Sequence, residues 1–234
     1  KKKKRNFKLL QKELNMICDK YRSKDGYYDC IVPWSGGKDS SYIAYKLKYE
    51  YKMNPLLVTY SPLIQTDVGI NNRNNFINLG FDNTYFRSNQ KVNKILSKRF
   101  FIERGDPKVH WSAGIHTIPF KASIEKKIPL IFYAEHGESY YGGSVLKKDS
   151  DKIKDLDEIY ENIVGDDPIN WTTDEISLND IQPYILPSEQ LLKKNKTVAY
   201  FFGYFEDWNV IKNYSYLNSK MKFETHPDGR TPGT

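Results

Sequence analysis

Apolar residues recur along the chain with two different periods, and the change of period marks the elements. Over residues 6–22, Phe7, Leu10, Leu14, Ile17 and Tyr21 fall at spacings of three and four, which places them on one face of a helix. After Tyr28 the pattern changes. Asp29-Cys30-Ile31-Val32-Pro33 is a short apolar run that reads as a buried strand, a glycine turn follows it, and a helical stretch covers residues 39–51. Leu56-Leu57-Val58-Thr59-Tyr60 is the next strand, followed by a polar loop with Pro62 and Gly69, a helix over 71–79 and a strand at Asn83-Thr84-Tyr85-Phe86. A helix over 90–104, a loop at Gly105-Asp106-Pro107, a helix over 113–127 and the strand Pro129-Leu130-Ile131-Phe132-Tyr133-Ala134 complete this run. Strands alternating with helices predict an α/β fold, a Rossmann-like doubly wound parallel sheet with helices on both faces.

The alternation breaks at residues 144–196, which are acidic, contain Pro168, Pro183 and Pro187, and read as an insertion with a few short helices. Val198-Ala199-Tyr200-Phe201-Phe202 returns the chain to the sheet, and 206–220 reads as a closing helix. The expected organisation is a basic N-terminal helical segment (1–27), an α/β core (28–143), an acidic insertion (144–196) and a returning strand and helix (197–234).

Composition narrows the class. The chain has 234 residues, 39% of them hydrophobic and 15% aromatic, enough apolar material for a large core, which excludes wholesale disorder. No apolar run approaches the ~18 residues that span a bilayer, and no signal-peptide pattern opens the chain, so a soluble protein of the cytoplasm is expected, with no membrane partner. Cys18 and Cys30 are too few for a disulfide framework and lack zinc-ligand spacing, which also suits a reducing compartment. A start at Lys1 and a turn-like end, Asp228-Gly229-Arg230-Thr231-Pro232-Gly233-Thr234, suggest an excerpt of a longer protein.

The net charge of +7 invites a nucleic-acid reading, but its distribution argues against one. Residues 1–24 hold ten Lys or Arg against Glu13 and Asp19, whereas residues 149–180 hold eleven Asp or Glu against Lys152 and Lys154. The charge is polarised. The basic balance suits a phosphate-bearing ligand.

The informative stretch is Pro33-Trp34-Ser35-Gly36-Gly37-Lys38-Asp39-Ser40-Ser41, between the first strand and the helix after it. Its glycines let backbone N–H groups approach an anion, Ser35 and Ser40 add hydroxyls, and the helix N-terminus adds a favourable dipole. Lys38 supplies a point charge, while Asp39 either caps the helix or helps orient a metal. The Walker A spacing is absent, which disfavours an ordinary P-loop kinase or GTPase. A second polar stretch, Ala134-Glu135-His136-Gly137-Glu138-Ser139-Tyr140-Tyr141-Gly142-Gly143, leaves a strand on the same side of the sheet, where Glu135 or Glu138 is placed to ligate Mg²⁺ or orient a substrate amide. Upstream, the loop-to-helix segment with His110, Trp111, Gly114 and His116 is positioned to close over a nucleotide.

Ser35-Gly36-Gly37-Lys38-Asp39-Ser40 resembles the SGGxDS signature of the PP-loop ATP pyrophosphatases, whose fold is the adenine nucleotide alpha-hydrolase type. The resemblance implies that this loop holds the pyrophosphate part of ATP, with Mg²⁺, that Thr59 and Tyr60 lie near the adenine, and that Gly114 and Gly137 also contact the nucleotide. Lys38, Asp39, Glu135 and Glu138 become the implied catalytic residues, and Asp39 and Glu138 the implied metal ligands. YDCIVPWSGGKDSS, NPLLVTY, AGIHTIP, IPLIFYAEHGESYYGG and GRTPGT together look like the N-acetyl sugar amidotransferase branch, found in bacterial O-antigen and pseudaminic or legionaminic acid pathways.

That branch implies adenylation of an acetamido oxygen, followed by ammonia, giving an acetamidino sugar. The implied substrate is an N-acetylated, di-acetamido sugar bound by His110, Trp111, His116, Tyr141, Gly142 and Gly143. General-base help would come from Glu135, Glu138, His110 or His116, with no one of them assigned. Cys30 in a buried strand and Cys18 in a basic helix do not suit a glutaminase nucleophile, so an external ammonia source is expected; the family resemblance implies that the source is a separate glutaminase and cyclase-like subunit pair, a homo-oligomer also being allowed. The alternatives are a PP-loop tRNA-modifying enzyme and a non-catalytic adenine-nucleotide sensor.

Overall fold

The computed structural model describes residues 6–134, 152–154, 156, 159 and 164–225. Glu135, His136, Gly137, Glu138, Tyr141, Gly142, Gly143 and the GRTPGT segment lie outside them.

Five parallel strands form one sheet in the order β3-β2-β1-β4-β5. They are β1 (Cys30–Pro33), β2 (Pro55–Tyr60), β3 (Asp82–Phe86), β4 (Leu130–Tyr133) and β5 (Val198–Phe201). The chain starts in the middle, winds outward through β2 and β3, then returns across β1 to build β4 and β5 on the other side. A parallel crossover needs a covering helix, and reversing the winding direction places helices on both faces. Cys30 and Val32, Leu57, Leu130 and Phe132 point into one apolar layer, which receives α1 (Phe7–Tyr21), α2 (Lys38–Tyr49), α3 (Asp67–Ile77) and α8 (Val210–Asn218). Ile31, Leu56, Val58, Ile131, Ala199 and Phe201 point into the other, against α4 (Gln90–Arg104), α5 (Val109–Glu125), α6 (Leu178–Ile181) and α7 (Glu189–Asn195). The strands bury both faces, so their sequences are continuous apolar runs rather than alternating ones.

α1 follows its predicted face, with Leu14, Ile17 and Cys18 buried. It belongs to the core, and Arg22 just past its end donates to the carbonyls of Tyr51, at 3.0 Å, and Lys52. Two helices start four residues before their predicted bounds, α3 because a side chain caps it and α5 without a side-chain cap. Thr66 accepts from the Gly69 N–H at 3.1 Å, which starts α3 at Asp67, and Asp106 accepts from the Lys108 N–H at 2.8 Å ahead of α5. α8 starts later than expected, since Asn209 caps it by accepting from Ile211 and Lys212.

Residues 164–195 are more than an acidic excursion. Trp171, Ile176, Ile181, Tyr184 and Leu192 are buried in the layer under α4 and α5, with Trp171 edge-on to Phe100 at 5.0 Å. Asp167, Asp174 and Glu175 face solvent. The Thr117 hydroxyl donates to the Tyr184 carbonyl at 3.2 Å, and Arg104 donates to the Val164 carbonyl at 2.6 Å, so the segment is tied to the helices it covers. Among the described residues, no helix is long and apolar enough to cross a membrane.

Candidate functional site

The winding reverses between β1 and β4, which opens a crevice at their carboxyl ends. The loop after β1 lies there. Its backbone turns at Gly36 with φ of +84°, a conformation that a Cβ would strain. Gly37 then enters α2 in extended conformation, with no side chain capping the helix. The first-turn N–H groups of α2 are thus left for an anion to meet.

The loop braces itself. Gly37 donates to Ser35 Oγ at 3.2 Å, Ser35 donates to Ser40 Oγ at 3.4 Å, and the Ser40 hydroxyl donates back to the Gly37 carbonyl at 3.3 Å. Ser40 is buried and holds the shape of the loop, whereas Ser35 is exposed. Trp34 is buried beneath, stacked on Phe76 of α3 at 5.4 Å and donating to Ser41 Oγ at 2.8 Å.

Lys38 Nζ lies 2.7 Å from Asp39 Oδ2, and both side chains are about a third exposed. The other carboxylate oxygen of Asp39, Oδ1, is buried without a hydrogen-bond partner among the described residues. An orphaned carboxylate oxygen beside an anion cradle fits a cation bridging protein and phosphate. No set of three or more His, Cys, Asp or Glu gathers as a metal site among the described residues.

The remaining expected site residues divide into two groups. Trp111, on the first turn of α5, donates to the Ser61 carbonyl at 3.1 Å, so that α5 begins over the end of β2. His116, one turn further on, is half-buried 6.3 Å from the Tyr133 ring at the end of β4, and Lys154 Nζ lies 5.1 Å from the same ring. Burial, reinforced by the Lys154 charge, holds the His116 imidazole well below the usual histidine range, so it is neutral at pH 7.

His110 is different. It is fully buried, with ring neighbours Phe100 and Tyr184 and no partner on either nitrogen among the described residues. Burial lowers its pKa to about 4. Its expected place on substrate is corrected by this burial: it is a core residue.

Thr59, Tyr60 and Gly114 turn out to be engaged within the fold. Thr59 is buried and accepts from Asn83 of β3 at 2.9 Å. The Tyr60 hydroxyl donates to Ser88 Oγ at 2.9 Å, and its ring lies against Gly114, where an added Cβ would stand 2.4 Å from Cζ. Gly114 is a glycine because Tyr60 occupies the space. Both cysteines are buried free thiols, with Cys18 pushed up to about 12 and Cys30 well above its usual value, each chiefly by burial. Neither is a nucleophile.

Arg73, which the sequence pattern did not single out, lies beside the loop. It lies on α3, and its Cβ is 3.8 Å from the place a Cβ on Gly36 would take. The polar run Asn71-Asn72-Arg73-Asn74-Asn75 carries no phosphate motif, and only the packing of α3 on Trp34 brings Arg73 to the loop.

No family model matches the chain. An uncharacterized protein of Methanocaldococcus jannaschii is 42% identical over 53 residues, which is 23% of this chain, and the match spans 19% of that protein's length. A solved structure described as a predicted subunit of tRNA methyltransferase, also from Methanocaldococcus jannaschii, aligns over 82% of this chain and 75% of its own, with 18% identity and a TM-score of 0.39.

Proposed function

We propose that this protein is an ATP pyrophosphatase of the PP-loop type, which cleaves ATP between the α and β phosphates and transfers the adenylyl group to an acceptor oxygen. The observation that carries the reading is the loop after β1: a left-handed glycine, an uncapped α2 and an orphaned Asp39 oxygen at the switch point of a parallel sheet.

The acceptor oxygen attacks the α phosphorus, the bond to the bridging oxygen breaks, and pyrophosphate leaves with that bond's electron pair. The first-turn N–H groups of α2 and the Lys38 ammonium oppose the charge that develops on the leaving group. Asp39 would hold Mg²⁺ through Oδ1. When bound, Mg²⁺ neutralises the phosphate oxygens and supplies Lewis-acid polarisation.

Two acceptors are in play. The sequence resemblance names the acetamido oxygen of an N-acetylated sugar, followed by ammonia from a separate glutaminase system. tRNA, named in the description of the solved neighbour, is the second, and the observation that favours it is the row of exposed Lys8, Lys12, Lys20 and Lys24 along α1 and its exit. AMP and pyrophosphate are measured with ATP, Mg²⁺ and ammonium, in the presence of di-acetamido sugars, of tRNA, or of neither. Sugar-dependent AMP with a product one mass unit lighter supports amidotransfer, and tRNA-dependent AMP supports tRNA modification. ATP binding without turnover in any arm indicates a sensor. Absence of ATP binding, with Lys38→Met indistinguishable from wild type, refutes the proposal.

A further inference from the structure

Lys38 is the one cation that the motif itself supplies, and a triphosphate carries more charge than one ammonium offsets. The surroundings of Gly36 hold a second cation. The Arg73 Cβ and the Gly69 carbonyl, both on α3, are each 3.8 Å from the position a Gly36 Cβ would take, so the root of the Arg73 side chain lies against the turn of the loop. Its guanidinium carbon is 4.8 Å from the centre of the Tyr85 ring.

Tyr85 is a fixed platform. It is the fourth residue of β3, level with Thr59 of β2, and its hydroxyl donates to Ser61 Oγ at 2.9 Å while accepting from the Gln65 amide. A guanidinium stacked on an aromatic face keeps its N–H edges available in plane, which is the geometry that grips phosphate oxygens in pairs. Arg73 makes no ion pair among the described residues, whereas Arg22, Arg99 and Arg104 each reach a carboxylate and a backbone carbonyl.

Resting on the ATP reading above, we propose that Arg73 is a second cationic member of the phosphate cradle, donating its guanidinium N–H groups to the pyrophosphate portion of ATP and to pyrophosphate as it leaves. Its position beside Gly36 assigns it to the β and γ phosphates rather than to the adenylate that remains.

Calorimetric titration of the full chain with Mg²⁺-pyrophosphate, Mg²⁺-ATP and AMP tests this assignment. Arg73→Gln should weaken pyrophosphate and ATP by about tenfold to thirtyfold, as expected for loss of a charge-assisted contact, and leave AMP unchanged. Arg73→Lys should recover part of the loss, because a point charge replaces a fork. Wild-type affinity for pyrophosphate in Arg73→Gln overturns the proposal and leaves Arg73 as a solvated stack on Tyr85. So does an equal loss for AMP with a lowered melting temperature, which marks a distorted loop. If the wild type and Lys38→Met both fail to bind ATP or pyrophosphate, the ATP reading itself falls, a result distinct from failure of Arg73 alone.

Discussion

Gly114→Ala isolates one packing constraint whose outcome can be worked from coordinates. A Cβ at Gly114 would lie 2.4 Å from Cζ and 2.7 Å from Cε1 and Cε2 of Tyr60, where about 3.5 Å is needed. The ring has nowhere to retreat. It is stacked at 17° on Phe86, and its hydroxyl donates to Ser88, which donates to Asn93 Oδ1 at 3.0 Å, an oxygen that also accepts from the Tyr184 hydroxyl at 2.8 Å. Overpacking costs about 1–3 kcal/mol, and a severed buried hydrogen bond adds about 1 kcal/mol. The better helix propensity of alanine returns about 1 kcal/mol. The net expectation is a loss of about 2 kcal/mol, read from urea denaturation midpoints at unchanged m. In a Tyr60→Leu background the methyl group has room, and the same Gly114→Ala change should become neutral or stabilising, a coupling of about 2 kcal/mol. Because Gly114 acts through Tyr60, Gly114→Ala should not alter ATP affinity further in that background. A Gly114→Ala protein as stable as the wild type, with Tyr60 in place, refutes the reasoning.

Three further outcomes follow from burial. His110 is neutral when folded, with a pKa of about 4, while the unfolded chain takes up its proton near 6.5, so the stability at stake is full above pH 6.5 and is lost as pH falls toward 4. The loss is about 3 kcal/mol, His116 acts with the same sign, and His110→Leu should flatten the midpoint-versus-pH slope across this window, an unchanged slope counting against the assignment. Trp171→Ala should cost about 3–5 kcal/mol in chemical denaturation, because a fully buried indole is removed from beside Phe100 and Tyr184; a loss under about 1 kcal/mol would return residues 164–195 to the status of a solvated insertion. Glu206, 6% exposed, pairs with Lys46 and accepts from Tyr42 at 2.9 Å. Glu206→Ala should cost about 3 kcal/mol by denaturation, with the Lys46 ammonium keeping Glu50, 3.3 Å away, as its remaining carboxylate partner.

The sequence by itself determined the strands, most of the helices and the loop between β1 and α2. These are local properties: apolar periodicity within one segment, glycines at a turn and a proline at a stop are written in neighbouring residues. α4 falls where its pattern places it, and the Ser35-to-Ser40 motif falls between strand and helix as expected. The start of α3 shifted because a single side-chain oxygen, on Thr66, sets the cap.

Tertiary structure alone decided which segments meet. The order β3-β2-β1-β4-β5 places the exit of β4 beside the loop after β1, and no local pattern encodes that adjacency. The same holds for the two histidines of α5. His110 and His116 sit six residues apart on one helix, yet one is sealed between Phe100 and Tyr184 while the other reaches Tyr133 at the sheet's carboxyl edge. Trp171 and Tyr184 look like aromatics in an acidic loop until α4 and α5 supply the surface that buries them. Arg73 becomes a candidate for phosphate only because Trp34 stacks on Phe76 and draws α3 against Gly36. Contacts between residues far apart in sequence depend on the closure of the whole core, and that closure is what turns a recognisable loop into a site.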